Sequence, residues 1–156
     1  MAAALLALLA WSRITPPRDA LVARVIDGDT IRLWDGRLVR YIGIDTPEMR
    51  RRVDHTWIED PQPLAQEATD ANRRLVGGRV VRLEFDVEPR DRFGRLLAYV
   101  YVDGVMVNER LAADGYARVL TIKPDVKYAE RFRLAVAEAK QAKRGLWRGT
   151  VTTNER

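Results

Sequence analysis

The chain has 156 residues, room for one domain with its own core and too few for two. Its formal net charge of +5 and pI near 9.9 favour an anionic partner, because a basic surface concentrates polyanions over distance. The absence of cysteine excludes disulfides, thiolate-bound zinc and thiol nucleophiles, and the one histidine, His55, leaves little material for a histidine-rich zinc site or a serine triad and, set among Arg, Asp and Pro, reads as an exposed loop residue.

Residues 1–11 form a nearly unbroken Ala/Leu run, about half of the ~20 residues that span a bilayer. Segment 1–19 is read as an apolar stretch and linker, a possible signal or anchor remnant; a misassigned start, a frayed tail and a short packing helix are the alternatives. An extracellular or membrane-tethered location is the matching expectation. The functional domain is expected over residues 20–149, followed by a polar tail at 150–156.

Leu21, Ala23 and Val25 alternate as a strand, and Thr30-Ile31-Arg32-Leu33 forms a second, with an interruption at Asp27-Gly28-Asp29. Asp35-Gly36 predicts a hairpin turn, because both residue types tolerate positive φ. Residues 38–44 return as a third strand, whose alternation puts Arg40, Ile42 and Ile44 on one face and Tyr41, Gly43 and Asp45 on the other. Residues 46–63 carry breakers and charges without a period and read as a mobile loop. Leu64, Ala68, Ala71 and Leu75 mark one face of a helix that Gly77-Gly78 stops. Residues 80–87 and 96–102 read as strands, with a tight turn at Asp103-Gly104 before Val105-Met106-Val107. Asn108 is placed as the cap of a short helix ending at Gly115, and Tyr128, Phe132, Ala135, Val136 and Ala139 mark a longer one. The predicted class is α+β: a small five-stranded barrel with about three helices.

Four clusters carry chemistry, and any metal among them must be held by oxygen, which selects hard cations such as calcium or magnesium. In Asp27-Gly28-Asp29-Thr30 two carboxylates flank a glycine; this is either a plain turn or a kink that presents both at one mouth of the sheet. Asp45-Thr46-Pro47-Glu48 offers two carboxylates and a backbone carbonyl, with Pro47 fixing its own φ and extending Thr46; a solvated strand end is the other reading. Asp91-Arg92-Phe93-Gly94-Arg95 alone fits a surface turn. Gly115-Tyr116-Ala117-Arg118, continuing to Lys123-Pro124-Asp125-Val126-Lys127-Tyr128, is either a track for a polyanion or a surface loop.

In combination and order, Asp27-Gly28-Asp29-Thr30, Arg40 with Asp45-Thr46-Pro47-Glu48, and Asp91-Arg92-Phe93-Gly94-Arg95 closely resemble the motif set of the staphylococcal nuclease family. The resemblance covers residues 22–147 and includes Gln66-Glu67-Ala68, Leu97-Ala98-Tyr99-Val100, Met106-Val107-Asn108-Glu109 and Gly145-Leu146-Trp147. It implies an OB-like barrel and a calcium-dependent endonuclease that hydrolyses DNA and RNA, favours single strands and leaves 3′-phosphate and 5′-hydroxyl ends. It further implies Asp29, Asp45 and the Thr46 carbonyl as calcium ligands, with Asp27 beside the metal. Glu48 matches the group that orients or deprotonates the attacking water, and Arg40 and Arg95 match the pair that holds the phosphate. A monomer without an obligate protein partner is expected. The sequence departs from the family's best-known members at Thr121 and Ile122, where those carry tyrosines that stack on a base.

Two rival readings accompany this one. A non-catalytic OB-type module would bind single-stranded nucleic acid by a basic groove and stacking, but such modules usually lack some of the acidic or arginine positions, all of which are filled here. A protein that binds phosphate or acidic sugars rests only on basicity and the N-terminal run.

Overall fold

Residues 18–149 are described by the computed structural model; the N-terminal Ala/Leu run and the polar tail at 150–156 lie outside the described residues. In chain order the strands are β1 (Asp19–Asp27), β2 (Thr30–Leu33), β3 (Leu38–Tyr41), β4 (Gly43–Asp45), β5 (Arg50–Val53) and β6 (Thr56–Glu59). Helix α1 (Ala65–Val76) follows, then β7 (Val80–Glu84), β8 (Leu96–Val102), β9 (Val105–Met106), α2 (Val107–Ala113), β10 (Arg118–Leu120) and α3 (Ala129–Gln141).

Five strands close on themselves. β1, β2 and β3 form an antiparallel meander, β7 pairs with β1, β8 pairs with β7, and β8 then returns parallel to β3 with Val39 opposite Leu96. Closure removes the open edges that would invite another strand, and the inward side chains fill the small lumen. Val22, Ile31, Leu33, Val39, Leu83 and Leu96 are buried there. The three helices pack around this α+β, OB-like barrel, α3 through Phe132, Ala135, Val136 and Ala139 as its periodicity predicts. Asp35-Gly36 and Asp103-Gly104 both turn hairpins, with positive φ at Gly36, Asp103 and Gly104.

The structure corrects several local expectations. Along β1 it is Val22 and Val25 that are buried while Leu21 and Ala23 are exposed, because register shifts against β2 fall between Val22 and Arg24 and again between Val25 and Asp27. Such bulges change which face each residue meets and re-aim the strand end. The segment read as a mobile loop holds the β5–β6 hairpin, turned by Asp54 and His55 at positive φ. The strand expected over 80–87 ends at Glu84. Asn108 is not a cap: it lies inside α2, where its side chain accepts from Val100 N–H at 2.9 Å and donates to the Ile42 carbonyl at 2.9 Å and the Ala98 carbonyl at 3.3 Å.

The largest correction concerns residues 38–44. One strand was expected; two form, broken between Tyr41 and Gly43, and β4 leaves the barrel to pair with β10. Gly43 has φ +84, and a Cβ there would lie 2.1 Å from the Phe132 ring. Alternation therefore resets, and Tyr41, Ile42 and Ile44 are all buried. Gly43→Ala combines left-handed strain with a clash against a fully buried ring, and is expected to cost about 3 kcal/mol of stability. Denaturant melts of the two proteins check this; an unchanged midpoint contradicts the account of the break.

Candidate active site

Asp29 occupies the two-residue turn between β1 and β2, yet it is almost fully buried. The turn reading of this motif therefore holds, with a buried carboxylate in the turn. Its Oδ2 accepts from the Thr46 N–H at 2.8 Å and the Thr46 hydroxyl at 3.0 Å, while Oδ1 accepts from the Thr30 hydroxyl at 3.2 Å. Gly28 makes room for this: a Cβ there would come within 2.6 Å of Thr46 Oγ1. Asp27 steadies the turn by accepting the Asp29 N–H at 3.1 Å. Burial raises the Asp27 pKa, and the opposing charge of Arg40 offsets part of the rise.

Arg40 ties the two acidic motifs together. Its guanidinium pairs with Asp29 Oδ1 through Nη1, and with Asp45 Oδ1 through Nη2 at 2.8 Å. Strict alternation would have put Arg40 and Asp45 on opposite faces of one strand; the break at Gly43 brings them to the same side. β10 backs the site, with Arg118 opposite Asp45 in register.

Glu48 is exposed at the rim. Gln62 fixes its backbone, accepting the Glu48 N–H at 3.0 Å through Oε1 and donating its own N–H to the Glu48 carbonyl at 2.9 Å. The cleft walls partly desolvate the carboxylate and raise its pKa; Asp27 and Asp45 push the same way, and Arg40 and Arg95 oppose them. These influences put Glu48, Asp27, Asp45 and both arginines in one electrostatic neighbourhood.

Arg95 reaches that neighbourhood from the turn before β8. Asp91 organises the turn: its carboxylate accepts the backbone N–H groups of Phe93 at 2.9 Å and Arg95 at 3.0 Å, and the Arg95 Nε at 2.6 Å. Binding Nε aims the rest of the guanidinium away from Asp91. Phe93 is 70% exposed, with the Arg92 and Arg95 guanidiniums 4.7 and 5.7 Å from its ring centre. Arg40, Arg95 and Phe93 line a cavity of about 540 Å³ whose other walls include Ile42, Leu120 and Ile122.

The donors suit a hard cation. Asp29 and Asp45 each turn one carboxylate oxygen to the Arg40 guanidinium. Among the described residues no group of three or more His, Asp or Glu side chains gathers tightly enough to hold a metal by side chains alone. An ion here would take its remaining ligands from backbone, water or substrate oxygens, which suits calcium's tolerance of irregular oxygen shells.

Sequence reasoning missed the residues that hold these groups in place. Beyond the Thr46 hydroxyl, Asn72 of α1 donates to the Asp27 carbonyl at 3.0 Å and accepts from the Tyr41 hydroxyl at 2.8 Å. The available signal was a polar residue on the alanine-rich inner face of α1, where Ala68, Ala71 and Asn72 are all buried.

The family model described as "Staphylococcal nuclease homologue" matches residues 38–149, and so includes Arg40, Asp45, Thr46, Glu48 and Arg95 but not the turn at residues 27–30. The chain is 43% identical over 129 residues to Endonuclease YncB of Bacillus subtilis (strain 168), covering 80% of this chain and 59% of that protein. It is 43% identical over 129 residues to the Thermonuclease of Staphylococcus hyicus, covering 81% and 73% respectively. It is 41% identical over 134 residues to the SPbeta prophage-derived endonuclease YokF of Bacillus subtilis (strain 168), covering 83% and 44%. The chain spans 59% and 44% of the length of the two Bacillus subtilis relatives, and the fold and these relationships define a domain of the staphylococcal-nuclease type. The chain belongs to the staphylococcal nuclease homologue family.

Proposed function

We propose that the chain is a calcium-dependent endonuclease that hydrolyses DNA and RNA, favours single strands and leaves 3′-phosphate and 5′-hydroxyl ends. What carries the reading is one arrangement: Arg40 joins Asp29 to Asp45, while Glu48 feels Asp27, Asp45, Arg40 and Arg95 together. A binding module needs a basic groove and stacking surfaces, and has no use for a carboxylate gathered beside two arginines.

A phosphodiester is a stable anion, so its hydrolysis needs an oriented nucleophile and donors aimed where charge grows on the phosphate. Arg40 and Arg95 present planar forks that match phosphate oxygens. Glu48 orients the attacking water and takes its proton as the water oxygen bonds to phosphorus; the P–O5′ bond breaks, and the leaving 5′ oxygen takes a proton from solvent water to become the hydroxyl. Asp29, Asp45 and the Thr46 carbonyl would hold the calcium ion, which would supply further positive charge to the cleft. Thr46, by donating twice to Asp29, keeps that carboxylate turned into the cleft. With Thr121 and Ile122 in place of tyrosines, Phe93 is an exposed aromatic surface lining the cavity.

An extracellular or membrane-tethered location, which rests on the N-terminal run, and a monomeric state complete the proposal. Among the described residues no helix is long and apolar enough to cross a membrane.

The test is cleavage of labelled single-stranded DNA and RNA in calcium, in magnesium and in chelator, with the product ends identified. Calcium should support cleavage, and chelation should abolish it, because the proposed ligands are all oxygen. Full activity in excess chelator overturns the reading.

A further inference from the structure

A second groove adjoins the cleft. The cavity lined by Phe93 and Ile122 lies beside Arg95, whereas another of about 760 Å³ opens between β1, the β5–β6 hairpin and α1. Arg24, Arg32, Arg50 and Arg73 line it, and Glu59 is the one acidic residue in its wall. Arg32 donates to the Gly36 carbonyl and Arg73 pairs with Asp70, but Arg24 and Arg50 have no side-chain hydrogen bond or ion pair among the described residues. Guanidiniums gathered with so little counter-charge repel one another, and a polyanion relieves that repulsion while releasing its own counterions.

Two stretches of chain link the wall of the groove to residues of the cleft. Arg24, Val25 and Ile26 form its wall on β1, and the next residue is Asp27; Met49 and Arg50 form its wall at the hairpin, and the residue before them is Glu48. The hairpin also supplies an aromatic surface. Its register sets Arg50 opposite Glu59 and Arg52 opposite Trp57, so these four share a face, and Arg50 and Glu59 line the groove. Trp57 is 62% exposed.

We propose that this groove is a second contact site for the nucleic-acid strand, holding phosphates of nucleotides that flank the scissile bond on the side away from Phe93. Arginine forks grip the phosphates, and Trp57 offers a ring on which a base stacks without regard to sequence. The strand then passes from the Phe93 cavity, over the cleft, into the arginine groove. This rests on the nuclease reading of the cleft.

The test compares the full chain with the double variant R24Q/R50Q, both positions being exposed. Equilibrium binding and cleavage are measured, across a series of salt concentrations, on a labelled single-stranded DNA long enough to fill both grooves and on a trinucleotide that fills the cleft. The expected result is a Kd for the long strand raised about tenfold and a log–log salt slope smaller by about 1.4, since each phosphate contact on a single strand contributes about 0.7. The penalty should be confined to the strand that reaches the groove. An unchanged Kd and salt slope overturn the proposal, and so does an equal loss on both lengths. If the parent cleaves neither substrate, the nuclease reading fails by itself, and the binding comparison still decides whether the groove takes the strand.

Discussion

Replacing Arg95 by lysine is expected to lower kcat by about 10²- to 10³-fold, the usual effect of removing a preorganised donor to developing charge. Asp91 already engages Arg95 Nε at 2.6 Å, so the arginine is both anchored and able to offer its remaining N–H groups to a phosphate. Lysine keeps the charge but is a single compact point on a flexible stem, and cannot satisfy Asp91 and a planar pair of phosphate oxygens at once. The loss should fall on kcat more than on KM, because the fork matters most when charge has accumulated on the phosphate. Steady-state kinetics on a labelled oligonucleotide separates the two parameters. A raised KM with kcat intact would make Arg95 a binding residue only.

What sequence could read here was local. Asp35-Gly36 and Asp103-Gly104 announce hairpins because positive φ is a property of the residue types themselves, and the α3 face is legible because Phe132, Ala135, Val136 and Ala139 repeat at the helical period. The acidic and arginine motifs were legible in the same way, as short ordered strings. What sequence could not read depends on contacts made far along the chain. The break at Gly43 exists because Phe132, almost ninety residues later, fills the space a side chain would need. No window around residues 38–44 contains that information, so alternation set Arg40 and Asp45 apart, whereas the structure joins them at 2.8 Å.

Asn108 shows the same limit. Its residue type suits a helix cap, but its side chain satisfies Val100, Ile42 and Ala98 in the core, holding β8 and the broken strand segment in one place. The β5–β6 hairpin was missed for a different reason: its strands are exposed on both faces and carry Arg50-Arg51-Arg52 against Trp57-Ile58-Glu59, so no burial alternation marks them. Strands without a buried face give hydrophobic periodicity nothing to detect.

Glu48→Gln is expected to reduce turnover by about 10²- to 10⁴-fold, the range for removing a positioned general base. Glutamine keeps the size and can still orient a water, but it cannot take a proton. The fold around it should persist, because Gln62 holds residue 48 through the backbone rather than through its carboxylate. Affinity for single strands should also persist, since the arginines and the proposed metal ligands remain. A binding module predicts otherwise: no cleavage by the parent and no consequence of the substitution. The most direct measurement is therefore single-turnover cleavage of one labelled single-stranded oligonucleotide, in calcium, by the parent and by Glu48→Gln, with binding followed on the same molecule. The account predicts cleavage by the parent and cleavage slower by orders of magnitude in the variant at matched occupancy; equal rates would show that Glu48 is not the base and contradict the proposed site.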